Sequence, residues 1–172
     1  MVVPRTWTPH YGPVLLGVGD DDPAKAAVAF TEDEAMLRAA AIALVHVWAA
    51  GPAYPSPLHF VDYPWEAIRD AAETVLQGAA TGIRGRHPES DVATTLIEGP
   101  TIPELVEAAQ TAQLLVVARA DRGILKDLLQ LGSVAHDVLL NAPVPVAIVP
   151  AQRVETLPAW PFGPPESTLS WG

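Results

Sequence analysis

The chain has 172 residues, enough to bury one core and too few for two comfortable domains. Twenty acidic against ten basic residues give a formal net charge of −10, which argues against a nucleic-acid partner, because binding a phosphate backbone draws on clustered Lys and Arg. Cysteine is absent, which removes disulfides and thiolate metal sites, and no apolar run approaches the ~18 to 20 residues of a membrane span, so a soluble cytoplasmic protein is expected.

Residues 1–12 form an irregular leader, in which Pro4, Trp7 and Pro9 interrupt any period and no secretory signal pattern appears. A domain is expected over residues 13–152, opening with Val14-Leu15-Leu16-Gly17-Val18 as the first strand. Gly19 and Asp20-Asp21-Asp22-Pro23 then combine an N-cap acid with proline at the first helical position, and a helix follows to about Ala39. Ala41 to Trp48 reads as a second strand, and Ala49 to Pro57 as a Pro/Gly/Ala loop. From Tyr63 to Ile83 the spacing predicts a second helix with Trp65, Ile68, Ala72 and Val75 on one stripe, and Asp91 to Ile97 fits a third strand. Thr101 with Glu104 has the form of a capping box, opening a helix to about Ala109 with Pro103 in its first turn.

Leu114 to Val117 is an unbroken apolar run of the kind buried on both faces of a parallel sheet. Val134, Val138 and Leu139 have helical spacing, Asn141-Ala142-Pro143 supplies a stop, and Val144 to Val149 resume a strand. Five strand-like runs alternating with four helical ones predict an α/β fold, a parallel sheet covered by helices on both faces. Such sheets bind ligands beyond the carboxyl ends of their strands, where the strand order reverses. Residues 153–172 make a tail with Trp160, Phe162, Trp171 and four prolines but no amphipathic period.

The strongest candidate site is Gly132-Ser133. It opens a helix after a loop bearing Arg119 and Arg122, so backbone amides, a hydroxyl and guanidinium groups can converge on phosphate. The plainer alternative is a glycine that permits a tight turn and a serine that caps a helix. Asp20, Asp21 and Asp22 suggest a magnesium cage of the phospho-receiver type. That type also needs an aspartate ending the third strand and a lysine ending the fifth, and neither is present. His10, His46, His59, His87 and His136 are scattered without zinc-site spacing; His46, inside an apolar strand, fits a hydrogen-bonded core histidine. Ser133 lacks a nucleophile elbow, and neither a Gly-x-Gly-x-x-Gly nor a P-loop pattern occurs. No metal site is expected.

Taken together, VLLGVGDDDP, EDEAMLRAAAIALVHVW, LIEGP before ELVEAAQTAQLLVVA, and LLQLGSVAHDVLLNAPVPVAIVP resemble the universal stress protein family from about Pro13 to Pro150. The resemblance implies a Rossmann-like sandwich with strand order 3-2-1-4-5 and a homodimer paired through the fifth strands, here Val144 to Val149. Nucleotide-binding members carry Gly, two residues, Gly, nine residues, Gly and Ser/Thr, with an acidic residue ending the first strand. Gly132 and Ser133 match, while Ala118 stands at the first glycine, Asp121 at the second, and the span from Ala118 to Gly132 is one residue longer. Gly123 is placed to stand in for a family glycine with a shifted register. The acidic position falls on Gly19, with Asp20 displaced by one, and Val47 matches the residue lining the adenine pocket.

The resemblance therefore implies ATP or another adenine nucleotide, with Mg, as a regulatory ligand without rapid turnover. Gly132, Ser133 and the amides after Val134 would hold phosphates, Arg119 and Arg122 would neutralise them, and Val18, Gly19 and Val47 would frame the nucleoside. The alternative is a nucleotide-free dimeric module that presents surfaces to a protein partner over a vestigial pocket. An enzyme ranks third, with slow ATP hydrolysis the most it would do, since no residue is placed as a base to activate water.

Overall fold

The structure, a computed structural model, describes residues 1–4, 7–19, 25–48, 64–119 and 133–150. The elements run β1 (Val14–Val18), α1 (Lys25–Arg38), β2 (Ile42–Trp48), α2 (Trp65–Arg86), β3 (Val92–Glu98), α3 (Thr101–Ala108) with a 3-10 turn at Ala109–Thr111, β4 (Leu114–Arg119), α4 (Ser133–Asn141) and β5 (Val146–Pro150). All five strands are parallel, in the order β3-β2-β1-β4-β5. The α/β fold class and the strand order are those expected from the sequence.

Side chains alternate across a strand, so each apolar strand feeds two cores. Val14, Leu16, Ile42, Leu44, Leu114 and Val116 face α1 and α2, packing with Ala27, Val28, Leu76, Ala80 and Ile83. Leu15, Val45, Val47, Leu115 and Val117 face α3 and α4, packing with Leu105, Ala135 and Val138. Between α1 and α2, the buried Glu32 carboxylate accepts from Arg86 Nε and Nη2 through one oxygen, at 3.0 and 2.9 Å.

Several boundaries differ from the sequence reading for identifiable reasons. β5 begins at Val146 rather than Val144: Val144 is buried, but the Pro145 that follows has no N–H to give a ladder. Thr101 is already helical, with Pro100 at the N-cap and no side-chain cap bond, so the expected capping box is not formed. α2 extends to Arg86 and ends where the His87 amide donates to the Ile83 carbonyl. Its buried face is Ala72, Leu76, Ala79, Ala80 and Ile83, one step round from the expected stripe. The N-cap expected at Asp22-Pro23, the loop after Trp48 and the tail lie outside the described residues.

Among its described residues the leader has no helix or strand of its own, yet it is docked. Gln113 ties it down by donating from its backbone amide to the Pro13 carbonyl (3.0 Å) and from Nε2 to the Gly12 carbonyl (2.6 Å). A Cβ on Gly12 would stand 2.3 Å from the Thr111 carbonyl oxygen, so only glycine fits this passage. Trp7 then packs against the α3/α4 core, its Nε1 enclosed without an acceptor among the described residues, and Val2 forms an antiparallel bridge to Val146.

α1 closes with a Schellman arrangement. Ala40 N–H donates to Ala35 C=O at 2.9 Å, Ala39 N–H donates to Met36 C=O at 3.2 Å, and Ala39 sits in the left-handed region at φ 49°. A Cβ in that conformation costs about 1 kcal/mol. Ala39→Gly is therefore expected to stabilise the protein by at most about 0.6 kcal/mol, since the greater freedom of the unfolded chain subtracts roughly 0.4–1 kcal/mol. Urea denaturation should show a raised midpoint with an unchanged slope.

Candidate functional site

The carboxyl edge of the sheet brings together part of the predicted site. β1 lies between β2 and β4, with Val18 in register with His46 and Gly17 with Val117. Val18, Gly19, Val47 and Ala118 therefore end three neighbouring strands spaced about 4.8 Å apart. The chain leaves β1 for the α1/α2 face, whereas the connection after β4 leads to the α3/α4 face, so the strand order reverses between β1 and β4. A helix that follows a parallel strand runs back along the sheet, so α4, opening at Ser133, starts at this same edge. Its first amides lack intrahelical acceptors and carry the positive end of the helix dipole.

The environment of each residue follows from its place on the pleat. Val18 is buried on the α1/α2 side and Val47 on the α3/α4 side, so the two present apolar surface from opposite faces. Among the described residues, a Cβ built on Gly19 would meet nothing within 4 Å. Ala118, half-buried, turns its methyl into the α1/α2 core. Val134, in the first turn of α4, is 37% exposed. Asp20, Arg122, Gly123 and Gly132 lie outside the described residues, as do the side chains of Arg119 and Ser133, so the expected convergence of charge on phosphate is left as a proposal. Among the described residues, no three His, Asp or Glu side chains come together as metal ligands, and no helix is long and apolar enough to cross a membrane.

Two features of the edge were not read from the sequence. His46 is buried as expected, but its role is specific: Nδ1–H donates to the Val18 carbonyl at 2.9 Å, which fixes the tautomer and clamps the end of β1 to β2. Beside it lies a cleft of about 490 Å³ walled by His46, Val47, Trp48, Ile68, Ala72 and Val75, with Thr101 at its rim. That volume is in the range of small-molecule sites. The signal was present in the stripe expected on α2. Ile68, Ala72 and Val75 repeat at helical spacing, and these three members of the stripe line the cleft, while Leu76, Ala79, Ala80 and Ile83 further along α2 are buried.

The sequence profile of the universal stress protein family matches residues 10–150. Two universal stress proteins of Mycobacterium tuberculosis are similar to this chain. One is 29% identical over 157 residues, 91% of this chain and 49% of the relative. The other is 32% identical over 143 residues, 81% of this chain and 46% of the relative. The chain thus spans about half the length of these relatives. Among solved structures, a universal stress protein from Archaeoglobus fulgidus in complex with dAMP superposes with a TM-score of 0.60 at 23% identity, covering 81% of this chain and 98% of that one. A universal stress protein in complex with cAMP gives 0.59 at 20% identity, covering 81% and 98%. At these identities the superpositions bear on the fold.

The clamp at the site's base can be tested directly. His46→Phe keeps a ring in the core but removes the donor to the Val18 carbonyl, which is expected to cost about 1–3 kcal/mol. Chemical denaturation should show the loss as a lowered midpoint.

Proposed function

Because the chain belongs to the universal stress protein family, we propose that it is a stress-response protein that binds an adenine nucleotide, with Mg, at the carboxyl edge where β1 meets β4. The observation that carries this reading is the placement of Val18, Gly19, Val47 and Ala118 on three adjacent strand ends, at the edge where α4 opens. Relatives of the same fold hold dAMP and cAMP, which makes the adenine nucleoside the shared chemistry. ATP fits that chemistry, with the phosphates on Gly132, Ser133 and the amides after Val134, and their charge met by Arg119 and Arg122.

Two local facts support the edge as a nucleoside seat. Among the described residues nothing crowds Gly19 beside β1, and the Ala118 methyl is absorbed by the core rather than projecting between the strand ends. Asp121 works against the reading, since a carboxylate near a triphosphate adds like charge. That residue, with Ala118 at a family glycine, favours the second reading: a nucleotide-free dimeric module with a vestigial pocket. In both readings the protein is cytoplasmic and dimerises through the fifth strand.

A thermal melt with and without Mg-ATP separates the two, together with denaturation of an aliquot to release co-purified nucleotide. Ligand at ~100 times its dissociation constant stabilises by about 2.7 kcal/mol, which raises the midpoint of a domain this size by several degrees. Gly132→Asp should remove the rise. Absence of both a shift at millimolar ATP and any released nucleotide would overturn the first reading in favour of the second.

A further inference from the structure

The outer edge of β5 is already occupied. Val2 and Val146 exchange two backbone hydrogen bonds, each 2.8 Å, in an antiparallel bridge. In a parallel strand the N–H and C=O of one residue point to the same side, and successive residues alternate. The Pro145 carbonyl accepts from Leu115 of β4, so Val146 and Ile148 both point away from the sheet. Pro150, next in that row, offers only a carbonyl. The usable edge is thus a short row of two residues, beginning where β5 begins and ended by a proline.

We propose that the leader is a strap competing with a second copy of this chain for that edge: Val2 on Val146 and the β5 strand of a partner cannot be seated together. The proposal rests on the reading that the chain dimerises through its fifth strand. The edge suits a second copy because it is self-complementary. Pairing two β5 strands antiparallel about Ala147 sets Val146 of each opposite Ile148 of the other, with every N–H and C=O in the row satisfied. Val2 itself shows that the edge accepts an antiparallel strand with good bonds.

The strap's hold is limited by its own sequence. The next residue of the leader to face the edge after Val2 is Pro4, which has no N–H to continue the ladder. Met1, Val2 and Val3 are 72%, 50% and 49% exposed, so little burial adds to the two bonds. Two straps surrender four hydrogen bonds and two paired β5 strands recover four. With the bond count even, the position of the equilibrium falls to protein concentration and to whatever else binds the leader.

Sedimentation velocity across a concentration series would test this on the full chain, using wild type, Val2→Pro, Ile148→Pro and the double variant. Val2→Pro removes the donor to the Val146 carbonyl and should tighten dimerisation at least tenfold, while Ile148→Pro should weaken dimerisation in either background. An unchanged dissociation constant in Val2→Pro, with Ile148→Pro still weakening the dimer, would overturn the strap and leave the strand-paired dimer standing. A dimer indifferent to Ile148→Pro, or no association in any variant, would overturn the strand-paired dimer and the strap with it. Hydrogen exchange over residues 144–150 provides a measurement that does not depend on the folding of Ile148→Pro. In dilute protein this segment should exchange faster in Val2→Pro than in wild type, and in concentrated protein it should be protected; equal exchange in both proteins at both concentrations would overturn the proposal.

Discussion

The pairing of β1 with β2 on one side and β4 on the other is the constraint on which the rest of the structure depends. β1 is the central strand of the sheet, and Val14, Leu15 and Leu16 are each at most 2% exposed, so it is closed in by both helical layers. A strand in that position has no polar face to offer, which is why its sequence runs apolar rather than alternating. Its two registers also set which strand ends meet. By placing Gly17 beside Val117 and Val18 beside His46, they bring the ends of three strands together at one edge. The helices on either side of the reversal pack on opposite faces of the sheet.

His46 links this frame to the site. A polar ring in an otherwise apolar strand must find a partner, and the carbonyl at the end of β1 supplies one. The bond falls at the position where the ladder stops, so the last residue of β1 is held by a side chain as well as by the sheet. The apolar cleft beyond β2 begins at the same residue. Core, clamp and cleft are consecutive surfaces of one strand end.

Much of the fold was legible because parallel strands buried on both faces produce contiguous apolar runs, such as Val14 to Val18 and Leu114 to Val117, which few other elements imitate. The misreadings share a cause: a local pattern was given a local meaning that a neighbouring residue overrides. Val144 is apolar and buried like a strand residue, yet Pro145 denies it a ladder. Thr101 and Glu104 have capping-box spacing, yet the helix has already begun at Thr101. The docking of the leader was not legible at all, because Gly12, Trp7 and Val2 are each explained by a residue far along the chain: Thr111, the α3/α4 core and Val146. For the site, residue identities could be named from sequence, and their assembly at one edge depended on registers that only the sheet supplies.

The two edges of the sheet are blunted by different means, and the difference bears on which of them a partner can use. At β3, the Asp91 carbonyl accepts from Ile42 of β2, so Val92 points outward, and the Val92 carbonyl accepts from Arg84 Nη2 at 2.6 Å. Arg84 belongs to α2, a helix of 22 residues whose buried face carries Leu76, Ala80 and Ile83. That cap is not released without disturbing the core. At β5 the equivalent groups of Val146 are held by Val2, whose neighbours are largely exposed and whose ladder is stopped by Pro4. Release there costs two hydrogen bonds and little buried surface, while the close passage at Gly12 still ties the leader to the domain further along. Among the described residues, the first outward carbonyl of β3 is thus held by a side chain from a helix rooted in the core, whereas the first outward residue of β5 is held by a chain segment that buries little surface.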